Sequence, residues 1–121
     1  MENVSSENKM ESINSIQSAI SKSKKALTQM TQKGANTTLL KKRLKALQVG
    51  LAVLENLWNQ RPHNYTSRDL SEARIILIDL LPSIKDIYAK SKAGSPQKTL
   101  LERRIKALEL AVQAIDDLSN G

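Results

Sequence analysis

Apolar residues return every three or four positions along most of this chain. Leu40, Leu44, Leu47, Leu51, Leu54 and Trp58 advance by alternating steps of four and three. That spacing sets side chains along one stripe of a helix. Leu101, Ile105, Leu108, Val112 and Ile115 repeat it, and Leu70, Ala73, Leu77, Leu80, Ile84 and Ile87 form a third stripe. A first stripe runs through Met10, Ile13, Ile16, Ile20, Leu27 and Met30, with a polar lapse at Ser23 and Lys24. No segment alternates apolar and polar residues with period two, so the pattern predicts four helices and no strand.

Helix punctuation agrees. Ser95 followed by Pro96 reads as an N-cap and a first helical position, where the missing proline N–H costs nothing. Gly34 and Gly94 stand where helices should end. Asn36 or Thr37 is placed to cap the second helix, and Thr66 with Asp69 resembles a capping box with Asp in place of Glu or Gln. Pro82 falls inside the third stripe and cannot bond to the carbonyl four residues back, so a kink is expected near Ile78 and Asp79. The domain is expected to span residues 10–119 behind a disordered tail of residues 1–9. Its two halves are 10–59 and 66–119, joined by a linker at 60–65.

The two halves also repeat. TLLKKRLKALQVGLAVLENL at residues 38–57 returns as TLLERRIKALELAVQAIDDL at 99–118. Thr38, Leu39, Leu40, Arg43, Lys45, Ala46, Leu47 and Leu57 recur unchanged 61 positions later. A duplicated helical hairpin leaves each half with an uncovered face, and with short loops the simplest way to cover both is an antiparallel, up-down-up-down four-helix bundle. The expected fold class is therefore all-α. Ala46, Gly50 and Val53, with Ala107, Ala111 and Ala114, form small-residue columns beside the seams, suited to close approach of the second and fourth helices.

Composition narrows the chemistry. The chain of 121 residues has no Cys, which excludes disulfides and thiolate chemistry. Its longest apolar run, residues 75–78, is far short of the ~20 residues a membrane span needs. The polar opening MENVSSENKME does not read as a secretory signal, and the expectation is an intracellular protein, of cytoplasm or nucleus alike. Charge is sorted by position. Residues 22–45 and 85–106 hold fifteen Lys and Arg against two acids, a net +13, while the remainder is net −6. If both hairpin tips share one end, Lys24, Lys25, Lys41, Lys42, Lys45, Lys92, Lys98, Arg103 and Lys106 form one basic surface. Such a surface attracts nucleic acid or another polyanion, or simply keeps the protein solvated. Tyr88 is the lone aromatic there, which argues against base stacking.

Arg43 and Arg104 fall inside the apolar arcs. Each is expected to pair structurally with a carboxylate, such as Asp79 or Asp86, or else to face a ligand. Val49 and Leu110 project from the side opposite the seam, and Ile75 and Ile78 give the third helix surplus apolar surface, so all four are partner-interface candidates. The single His, His63, sits in the linker and reads as solvated. Neither a metal-ligand cluster, a phosphate loop nor a nucleophile motif is present in the sequence. No catalytic residue, cofactor, metal or small-molecule substrate is expected.

Leu40, Arg43, Leu44, Leu47, Leu54, Leu57, Trp58, His63 and Asn64 together give a Leu-x-x-Arg-Leu-x-x-Leu helix followed by a Leu-x-x-Leu-Trp stretch and a His-Asn pair. In this, residues 39–64 resemble N-terminal helical segments of insect retrotransposon Gag polyproteins. The resemblance implies a self-assembling structural role without catalysis, although the duplication departs from that pattern and no zinc knuckle follows. The sequence thus points first to a non-catalytic protein-interaction or self-assembly module working through apolar helix faces, the basic end assisting. The alternative is a sequence-nonspecific nucleic-acid or phosphate binder acting through the basic tips.

Overall fold

The computed structural model describes residues 4–120, the last by its backbone only. It contains α1 (Ser6–Gln32), α2 (Thr38–Asn59), α3 (Ser67–Lys90) and α4 (Pro96–Asn120), with no strand among the described residues.

Local chemistry sets most of the boundaries. The Ser5 hydroxyl accepts from the Asn8 N–H at 3.1 Å and opens α1. Helix therefore starts inside the stretch expected to be a disordered tail: residues 6–9 are helical, and Val4 packs against the core. Residues 1–3 lie outside the described residues. At α2 it is Asn36 that caps, its Oδ1 accepting from the Thr38 N–H at 3.0 Å, whereas the Thr37 side chain makes no capping bond. The capping box at α3 is complete: the Thr66 hydroxyl accepts from the Asp69 N–H at 3.1 Å, and the Asp69 carboxylate accepts from the Thr66 N–H at 3.0 Å. Ser95 accepts from the Lys98 N–H at 3.1 Å at the start of α4. Gly34 and Gly94 take φ of +72° and +78°, the left-handed conformation that glycine adopts without penalty. The helix assignment of α3 runs unbroken through Pro82.

One core joins the four helices. Its buried residues lie in four short segments, at 12–20, 46–54, 70–77 and 107–115. Leu54, Leu77, Leu108 and Ile115 are almost wholly enclosed. The helices do not share contacts evenly. Each packs on its neighbours, and α2 also touches α4, whereas α1 and α3 do not meet. The small-residue columns explain this, since Ala46, Gly50, Val53, Ala107, Ala111 and Ala114 are all buried. A Cβ added at Gly50 would lie 3.3 Å from the Ala111 Cβ and 3.3 Å from Leu77 Cδ1. That is tighter than ordinary packing, so glycine is what lets the backbones come this close.

Side-chain pairs tie the helices at the surface. Arg74 in the first half of α3 pairs with Asp116 near the end of α4. Lys85 pairs with Glu109 at 3.5 Å, and Lys45 with Asp69 at 2.9 Å. His63 is half-buried rather than solvated. Its Nδ1 accepts from the Tyr65 N–H at 3.2 Å, and its ring stacks on Tyr65 with centroids 6.0 Å apart.

Candidate functional site

Burial divides every helix into two parts. Residues 21–45 and 78–106, the segments leading to and from the turns at Gly34 and Gly94, contain no buried residue. These tip segments hold fifteen Lys and Arg against three acids, a net +12, while the rest of the chain is net −5. Lys24, Lys25, Lys41, Lys42, Lys92 and Lys106 are exposed. Three other basic candidates are engaged: Lys45 with Asp69, Lys98 over the Tyr88 ring at 4.5 Å, and Arg103 with Glu11 at 3.5 Å. The lysine ammonium beside Asp69 gains from that hydrogen bond and charge, which raise its pKa and lower that of Asp69.

Large apolar side chains accompany the free cations. Leu39 is 57% exposed, Leu100 60% and Ile87 48%. Leu39 and Leu100 occupy the same position in the two repeats, one residue off each seam. That offset is visible in the sequence, where Leu40 and Leu101 take the seam positions beside them.

Two partner-interface candidates are corrected. Val49 is 0% exposed and Leu110 4%, so neither offers a surface. A single seam per helix would leave them outside, but α2 and α4 are both central and are covered on more than one side. Val49 lines a shallow cleft of about 330 Å³ whose other walls include Ala73 and Ile76 of α3. The other two candidates are on the surface, with Ile75 59% and Ile78 37% exposed.

The expectation of carboxylate partners for Arg43 and Arg104 is also corrected. Arg104 is half-buried and donates from Nε to the Ser15 hydroxyl of α1 at 2.9 Å. Burial pushes its pKa below the usual guanidinium value, with no anion to offset it. The Arg43 side chain makes no hydrogen bond or ion pair with any described residue, and those of Asp79 and Asp86 make none either. Each arginine continues a small-residue column by one step toward the tip: Val53, Gly50, Ala46, then Arg43, and Ala114, Ala111, Ala107, then Arg104. A guanidinium side chain cannot pack between closely spaced backbones. At this level a cleft of about 250 Å³ replaces the core, lined by residues of all four helices.

No group of three or more potential metal ligands occurs among the described residues, and no described helix is long and apolar enough to cross a membrane. Comparison with protein-family models, curated proteins and solved structures finds no match to this chain.

Proposed function

We propose that the chain is an antiparallel bundle of two duplicated hairpins and serves as a non-catalytic protein-interaction module, with its tip segments as the working surface. Early α3 pairs with late α4 through Arg74–Asp116, and late α3 with an earlier stretch of α4 through Lys85–Glu109, an order that supports the antiparallel arrangement. Matching burial at repeat-equivalent positions supports the duplication: Leu47 and Leu108 are 5% and 1% exposed, Leu39 and Leu100 57% and 60%.

The observation that carries the functional reading is that Leu39, Ile87 and Leu100 stand exposed among unpaired lysines. A surface that only solvates the protein needs no large apolar groups, and one that only tracks phosphates needs cations alone. Apolar anchors set in a basic field fit an acidic protein segment that carries its own apolar side chains, the charge steering encounter and the leucines holding the complex. The self-assembly implied by the Gag resemblance has its best surface at Ile75 and Ile78 of α3.

The test is quantitative capture of partners from cells that express the protein. Leu39→Ser with Leu100→Ser should abolish capture, and Lys24→Glu, Lys25→Glu, Lys41→Glu and Lys42→Glu should slow association and make it insensitive to salt. Duplex DNA offered at ~50 mM salt, where phosphate binding is strong, separates the nucleic-acid alternative. If DNA binds with a steep salt slope and the leucine changes have no effect, the tips are a phosphate surface and the module reading fails. Light scattering reports whether Ile75 mediates a second copy instead.

A further inference from the structure

The cleft at the level of Arg43 and Arg104 has a composition that neither the core nor the basic rim shares. Leu40, Leu47, Leu80, Ile84 and Leu108 supply apolar wall from three helices, and the two arginines supply charge. No acid lines it. Arg43 has no bonded partner among the described residues, and Arg104 spends one donor on a neutral hydroxyl, leaving most of its five N–H groups for another acceptor. Lys22 stands at the same cleft and adds to the field. A guanidinium held half-buried without an anion is a costly arrangement, and an incoming carboxylate would relieve it through charge-assisted, bidentate bonds. Its volume is about 250 Å³, room for a small amphiphile rather than a single water.

We propose that this cleft binds a medium-chain carboxylate, its head group on the guanidiniums of Arg43 and Arg104 and its alkyl tail against Leu40, Leu47, Leu80, Ile84 and Leu108. A bare inorganic anion would leave the leucines unused, and a neutral alkane would leave the arginines unpaired. Only an amphiphile satisfies both walls. The proposal does not depend on the tip surface described above, because Leu39, Leu100, Lys24, Lys25, Lys41 and Lys42 do not line the cleft.

Titration calorimetry and amide chemical-shift mapping on the full chain test it, with octanoate as the probe, octanol carrying the same tail without charge, and acetate the same head without a tail. Octanoate should bind saturably, at least about tenfold more tightly than either control, as expected for charge-assisted bonds added to tail burial. Shifts should concentrate at residues 40–47, 80–84 and 104–108. Arg43→Gln, at an exposed position that makes no contact needed for folding, should weaken octanoate about tenfold and leave octanol unchanged. Arg104→Gln should do the same, and Lys41→Gln with Lys42→Gln should do neither. Equal affinity for octanol and octanoate, loss of octanoate on the lysine changes, or no saturable binding would each show the cleft to be a packing gap and overturn the proposal.

Discussion

Leu39 and Leu47 sit eight residues apart on one helix, have identical chemistry, and end at 57% and 5% exposure. Leu100 and Leu108 repeat the contrast at 60% and 1%. Hydropathy alone does not separate the two parts of the molecule, since both are rich in Leu and Ile. Side-chain size on the face between α2 and α4 does separate them. Where that face carries Ala, Gly and Val, the central helices close on each other and a core forms. Where it carries Arg43 and Arg104, they cannot. Stability should therefore reside in the packed segments.

The largest effect expected from that division is at Leu108. Leu108→Ala should cost about 2–5 kcal/mol, through lost transfer energy and the cavity left behind. Leu100→Ala, at the exposed position of the same helix, should cost less than about 0.5 kcal/mol. Urea midpoints measure both, and equal losses would mean that the tip segments carry a core of their own. Next comes Gly50→Ala. The added methyl must displace the Ala111 Cβ, which is anchored to the helix, so crowding of about 1–3 kcal/mol outweighs a propensity gain of about 1 kcal/mol. A double-mutant cycle with Ala111→Gly should recover most of the loss, and additive losses would show that the two residues do not confine each other.

Helix caps sharpen the comparison at a smaller scale. Thr66→Ala removes half of a capping box at the edge of the packed segments and should cost about 1 kcal/mol. Ser95→Ala opens a helix whose first turns cover nothing buried, and its effect on the thermal midpoint should be smaller. The weakest expected effect is electrostatic. Asp69 bonds to Lys45 and its pKa is lowered, so its share of stability is present above the ordinary carboxylate value and disappears as pH falls through the lowered one. Lys45, raised by the same bond, keeps its share until pH rises beyond the ordinary lysine value. The difference in thermal midpoint between the natural protein and Asp69→Asn should therefore be constant near neutrality and shrink in acid. A difference that persists unchanged below the lowered value would assign the effect to the helix cap rather than to charge.

Much of the fold was legible because helix signals are local. The seams, the caps at Thr66 and Ser95 and the glycine stops each depend on a few consecutive residues, and the small-residue columns announced the α2–α4 approach. Errors arose where the outcome depended on a neighbour. Val49 and Leu110 look exposed on a wheel that allows each helix one seam, and become core once α2 and α4 occupy the centre. The start of α1 is not legible in the sequence because Ser5 is an ordinary polar residue until the Asn8 N–H closes on it. Arg43 and Arg104 stand out in the sequence because they interrupt the apolar arcs, but the identity of their surroundings requires knowing which helices converge there.

Pro82 has a mechanical consequence. Having no N–H, it leaves the carbonyl of Ile78 without its intrahelical donor, and Leu77, the residue just before, is the last buried residue of α3. The helix is thus one bond short close to where its enclosed side chains end and its half-buried ones, Leu80, Leu81 and Ile84, continue against the core. Bending there disturbs the least, because no enclosed side chain lies beyond it. A bend near Ile78 would therefore carry Ile84 and the Tyr88 ring with it, shifting the cleft wall that Leu80 and Ile84 supply while the enclosed residues behind stay in place.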